Sequence, residues 1–178
     1  MKTNTQQILR LGIDIGRVIM SPVSNGKSDT TFLSGTLEES LATPPSPGAM
    51  NSVANLVEAF DGLVWLVSKA GPSNQRKTWL WLEQHDFYRK TGLPPSHVRF
   101  CLKRQEKAQP CEQLKINYFI DDRLDVLNFI KHCVRKRYLF GEQPSNQSIP
   151  PWVNHVIDWP ETLKTVMADM KNEHFNKQ

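Results

Sequence analysis

Residues 117 to 126 read NYFIDDRLDV, a short apolar stretch that ends on two adjacent carboxylates, Asp121 and Asp122. Like charges side by side at the end of a buried strand repel each other and resist desolvation, so they need a compensating partner. A bound cation is such a partner. The surrounding chain decides whether the pair is a metal site or an ordinary helix cap followed by a solvated turn, which is what two aspartates after a strand most often are.

Apolar runs of strand length recur on both sides of this stretch. ILRLGIDIGRVI (8–19) is rich in β-branched residues and predicts a strand ending near Asp14. LVWLV (63–67) predicts a second strand leading to Ser68, HVRFCL (97–102) a third, INYFI (116–120) a fourth and KRYLF (136–140) a fifth. Between them lie helical patterns. Ser46 and Pro47 predict a helix start, as cap and first-turn residue, before Met50, Val53, Ala54, Val57 and Phe60 at helical spacing. Ser73 predicts the cap of one long helix over 74–90, ended by Gly92. EKAQPCEQLK (106–115) predicts a short helix with Pro110 in its first turn, Leu124, Leu127, Ile130 and Val134 mark another, and Pro160 opens a last one.

Alternating strands and helices predict an α/β fold, a three-layer Rossmann-like parallel sheet with helices on both faces. Such sheets gather functional residues at the C-terminal strand edge. Asp14, Ser68, Asp121 and Asp122 all fall at predicted C-terminal strand ends, so the fold brings them together. Three carboxylates in a small volume are stable only if a divalent cation neutralises them or their pKa values rise, and for a cation oxygen-only ligands favour Mg²⁺.

The chain has 178 residues, 39% of them hydrophobic and 22% charged, which is an ordinary globular composition. That length predicts a single domain over 1–178, able to remove about 70% of its unfolded surface from water. Residues 21–48 are dense in Ser, Thr, Pro and Gly, and predict an irregular loop or small cap-like insertion with one short element near 37–41. No run approaches a membrane span, and Arg10 and Asp14 interrupt any N-terminal hydrophobic segment, so a cytoplasmic location is expected.

The net charge of +4 and pI of about 9.0 suit an anionic substrate but are too small to demand nucleic acid. Three cysteines without CxxC spacing predict reduced structural thiols, and five scattered histidines give no ligand pattern. The five tryptophans predict packing rather than base stacking.

Four segments together resemble the haloacid dehalogenase-like (HAD) superfamily: LGIDIGRVI (11–19), VWLVSKAG (64–71), Lys107 in RQEKAQPCEQL (104–114), and YFIDDR (118–123). The resemblance spans residues 10 to 140 and implies a Mg²⁺-dependent phosphohydrolase. In that case Asp14 attacks the phosphorus of a phosphate monoester, and the resulting aspartyl phosphate is hydrolysed by water. Mg²⁺ is then held by Asp14, the Gly16 carbonyl, and Asp121 or Asp122. Ser68 and Lys69 bind phosphate, and Lys107 offsets its charge and orients Asp14. Lys103 competes for the role of Lys107.

Two departures from the family pattern matter. Gly16 stands where relatives carry a second Asp as general acid/base, a loss that typically costs 10²- to 10⁴-fold; Arg17 cannot replace it as a base, because a guanidinium does not deprotonate. The intervals between motifs hold a Pro/Ser loop and one helix with one strand rather than a large cap, and an uncapped site suits a phosphate carried on a larger molecule, or closure by a neighbouring subunit. Two alternatives therefore stay open: a weakly active or inactive module that binds a phosphorylated ligand or protein partner, and a nucleic-acid end phosphatase, which the basic balance permits but no motif supports.

Overall fold

The computed structural model describes residues 8–21, 23–24, 27–28 and 35–175. Its centre is a six-stranded, all-parallel sheet of β1 (Leu11–Ile13), β4 (Val64–Lys69), β5 (Val98–Cys101), β6 (Tyr118–Asp121), β7 (Lys136–Phe140) and β8 (Asn154–Val156), in the order β5-β4-β1-β6-β7-β8. The chain builds outward from β1 through β4 to β5, then returns to the other side of β1 for β6, β7 and β8. That reversal flanks β1 and puts a topological switch point at its C-terminal end, where this architecture opens a crevice.

Successive side chains of a strand point to opposite faces, and the central strands are apolar on both. Leu66, Tyr118 and Ile120 enter one core, with Val53 and Leu56 of α2 (Ala49–Ala59), Trp81 and Leu82 of α3 (Pro72–Gln84), Phe87 of α4 (Phe87–Thr91), and Val166 and Met170 of α7 (Trp159–Phe175). Trp65, Val67, Phe119 and Leu139 enter the other, with Cys111 of α5 (Ala108–Gln113) and Leu127 of α6 (Leu124–Phe129). Helices therefore cover both faces. In β1, Gly12 is required by packing: a Cβ there would meet the Phe119 ring at 2.4 Å.

Several local expectations are corrected. α2 starts two residues later than predicted: Gly48, at φ 78°, precedes it without a side-chain cap, and Ser46 is buried upstream. α3 begins at Pro72 with Gly71 before it, so Ser73 lies inside the first turn rather than capping it. The long helix over 74–90 is two helices, because His85 ends α3 and Asp86 turns into the left-handed region at φ 56° before α4. The α6 helix ends at Phe129, and Val134 is buried from the turn that follows. β8 was not predicted. It is a three-residue edge strand, Asn154–Val156, too short to show a period.

Within 21–48, α1 (Leu37–Leu41) carries a capping box between Thr36 and Glu39, and Val23–Ser24 (β2) pairs antiparallel with Lys27–Ser28 (β3). The indole of Trp81 donates to the Thr43 carbonyl at 2.7 Å, which ties the end of this segment to α3. Residues 22, 25–26 and 29–34 of the expected insertion lie outside the described residues. Among the described residues no helix is long and apolar enough to cross a membrane.

Candidate functional site

β1 lies between β4 and β6, so the residues leaving these three strands share one edge. The Asp14 N–H donates to the Ile120 carbonyl at 2.9 Å, extending the ladder one step beyond β1 and aligning Asp14 with Asp121 across the strand pair. Ile13 pairs with Leu66, which brings Ser68 to the same edge on the β4 side. Ser68 is buried, and its carbonyl accepts from the Cys101 thiol at 3.7 Å; Lys69 beside it is exposed.

Lys107 reaches this edge from the opposite layer. A 3₁₀ turn over Arg104–Lys107 leads into α5, and Glu106 anchors the turn by accepting from the backbone N–H groups of Leu102 and Lys103. Lys107 is 2% exposed, and its Nζ donates to Asp14 Oδ1 and to Asp121 Oδ2, each at 2.7 Å. Of the two candidate lysines only Lys107 meets Asp14. Lys103 stays at the exposed start of the turn.

Burial disfavours the charged Lys107 ammonium, but the two carboxylates outweigh it and hold its pKa above the ordinary lysine value. The same burial pushes the Asp121 carboxyl upward, with Asp14 and Asp122 adding repulsion and Lys107 opposing it. Asp121 is further fixed by the Arg123 N–H, which donates to its Oδ1 at 2.9 Å. For Asp122, burial and then Asp14 raise the pKa to about 6, while Arg17 lowers it.

Asp14, Asp121 and Asp122 each present an oxygen within 4.8 Å of the others. One lysine among three crowded carboxylates leaves excess negative charge, and every donor is a hard oxygen, so the set fits a divalent cation such as Mg²⁺. Gly16 is half-buried, and a Cβ built on it meets nothing within 4 Å. The position that carries a carboxylate in the family pattern is open space here.

Two further features carry no signal in the sequence. Arg17 Nε forms an ion pair with Asp122 Oδ2 at 3.1 Å, from a backbone at φ 63°. Beyond it opens a cleft of about 930 Å³, walled by Phe140, Trp159 and Pro47 and edged by Arg17, Asp122 and Gln143. Gln143 Nε2 donates to the carbonyls of Asp122 and Phe140 at 3.3 and 3.2 Å, so the loop after β7 is fastened to the acidic pair. The Gly141 and Pro144 punctuation marks a turn but says nothing of its contacts.

The thiols of Cys101 and Cys111 are buried and that of Cys133 is half-buried, and burial raises the pKa of all three, as suits structural cysteines. His85, His97 and His155 are hydrogen-bonded to backbone carbonyls. A second group of potential ligands, Glu112, His132 and Cys133, lies on α5 and just after α6, where His132 already pairs with Glu112 at 2.7 Å. The side chain of His174 lies outside the described residues.

A haloacid dehalogenase-like family hydrolase from Xanthomonas campestris superposes with a TM-score of 0.65, covering 95% of this chain and 99% of that one at 13% identity. The chain has the HAD-like fold. Its order of motifs matches the resemblance drawn from the sequence: a nucleophile candidate after β1, a hydroxyl at the end of β4, a lysine before β6 and an acidic pair at the end of β6. In sequence, a protein described as a "Putative nucleotidase" from Oceanobacillus iheyensis is 27% identical over 131 residues, 72% of this chain. The match spans 66% of that relative, just under two thirds of its length. No family model matches the chain.

Proposed function

We propose that the protein is a small, cap-poor phosphohydrolase that cleaves a phosphate monoester with Asp14 as nucleophile and Mg²⁺ as cofactor. The observation that carries this is the buried Lys107 bridging Asp14 and Asp121 at 2.7 Å each, within a carboxylate trio suited to one hard cation. When bound, Mg²⁺ supplies positive charge between nucleophile and phosphoryl oxygens. Asp14, Asp121 and Asp122 would hold it, with the Gly16 carbonyl as a further ligand.

The protein's own residues carry the rest. Lys107 takes Asp14 Oδ1, which leaves Oδ2 to attack phosphorus. The new P–O bond forms as the bond to the leaving oxygen breaks, and Lys107 offsets the charge that gathers on the phosphoryl group. Ser68 and Lys69 at the β4 end are the hydroxyl and ammonium for the remaining phosphoryl oxygens. With glycine at position 16, no carboxylic acid protonates the leaving oxygen, so the proton comes from water and good leaving groups are favoured. Water then hydrolyses the aspartyl phosphate and restores Asp14.

The relative's description makes nucleoside monophosphates the first physiological class to test, and the cleft beside Asp122 leaves room for such a leaving group. An aryl phosphate and a panel of nucleoside monophosphates, assayed for phosphate release, check the proposal. The expected result is turnover that stops on chelation and in Asp14→Asn, fastest with the aryl ester. Absence of turnover, with Mg²⁺ still raising the melting temperature, would point instead to a binding module.

A further inference from the structure

We propose that Arg17 is a displaceable occupant of the cation site: its guanidinium holds Asp122 in the metal-free protein and moves off into the adjoining cleft when a divalent cation takes that carboxylate. The inference rests on the proposal that Asp14, Asp121 and Asp122 hold the cation.

The three carboxylates are not served alike. Asp14 and Asp121 are held from within by Lys107, a side chain 2% exposed. Asp122 is held from outside: its Oδ2 meets Arg17 Nε at 3.1 Å, and the Arg17 side chain is 63% exposed. Of the cations in contact with the trio, Lys107 and Arg17 leave one negative charge of the three uncompensated, whereas Lys107 and a divalent cation balance all three. The exchange therefore improves the charge balance of a site that burial makes sensitive to it. A guanidinium offers donors and no lone pair, so it cannot join the metal as a ligand, and a second cation against the same oxygen is repelled.

Arg17 also has somewhere to go. It lines the cleft of about 930 Å³, and the neighbouring Gly16 places no side chain in its way, with open space to 4 Å around a Cβ there. Once off Asp122, the guanidinium lies at the cleft edge beside the cation, positioned to meet an anionic oxygen of the substrate. Arg17 would thus pass from a protein carboxylate to a ligand anion as the site loads.

Mg²⁺ titrations by calorimetry on the wild type, Arg17→Gln and Arg123→Gln test this without turnover. Arg123 is the control, since it lies near Asp122 and acts on it through its charge but makes its side-chain contacts with Asp125. Arg17→Gln should bind Mg²⁺ about 2- to 5-fold more tightly, the worth of one partly exposed ion pair, and Arg123→Gln should gain clearly less. In the wild type the Arg17 Nε–H resonance should shift as Mg²⁺ is added. Equal gains in both variants, an unchanged Kd in Arg17→Gln, or an Nε–H signal indifferent to Mg²⁺ would each overturn the proposal. Asp122→Asn separates the failures: if it removes Mg²⁺ binding while Arg17→Gln changes nothing, only the role of Arg17 falls; if it leaves Mg²⁺ binding intact, the cation site falls too.

Discussion

The two ends of the site are built differently. At one end the buried Lys107 clamps two carboxylates at 2.7 Å each, so the groups expected to meet the phosphoryl group are fixed in place before any ligand arrives. At the other end Gly16 has no side chain, Arg17 stands largely in solvent, and a cleft opens between α7 and the loop after β7. Under the proposed function, the first end would hold phosphate strictly and the open second end would hold the rest of the substrate loosely. Changes at the first end should abolish function. Changes at the second should tune it.

The largest effect belongs to Lys107→Met. Removing a buried cation leaves the carboxylates uncompensated, which should cost about 3–5 kcal/mol in chemical denaturation and reduce phosphate release at least about 100-fold. A variant with wild-type stability and rate would erase the contrast between the two ends. Gly16→Asp works from the open end. The added side chain meets nothing within 4 Å of its Cβ, so the variant should fold, and a newly supplied acid should raise turnover about 10-fold or more on substrates with poor leaving groups. An equal or lower rate would mean that proton transfer to the leaving group is not limiting. The smallest effect is expected for Lys103→Ala, which alters stability by less than about 0.5 kcal/mol and leaves turnover unchanged; a large loss there would reopen the assignment to Lys107.

The same contrast explains what the sequence could disclose. β1, β4 and β6 are buried on both faces, and that demand wrote apolar runs that can be read directly, while β7 shows only the apolar half Tyr138–Phe140 after Lys136 and Arg137. Because parallel strands end at one edge, Asp14, Ser68, Asp121 and Asp122 could be placed together from their positions alone. The family resemblance, not any local pattern, points to a lysine before β6 with Lys107 and Lys103 as candidates, and the hydrogen bonds to Asp14 and Asp121 separate the two.

Features without periodicity stayed hidden. β8 is a three-residue edge strand, and the break between α3 and α4 depends on the left-handed backbone of Asp86, a residue that also fits inside a helix. The helix start at Ala49 turns on Gly48 rather than on the preceding Ser46, whose sequence context is an equally good cap. The Arg17–Asp122 pair and the Gln143 tether join positions far apart in sequence through long polar side chains, and no local pattern records such contacts.

The central claim is that the carboxylate of Asp14, poised by Lys107 and assisted by a cation, becomes covalently phosphorylated. Rapid acid quench of the protein with Mg²⁺ and a radiolabelled aryl phosphate, followed by peptide mapping, tests it directly. The account predicts hydroxylamine-sensitive label on the peptide containing Asp14, lost on chelation and in Asp14→Asn; phosphate release at full rate with no label on that peptide, or label that survives Asp14→Asn, would contradict it.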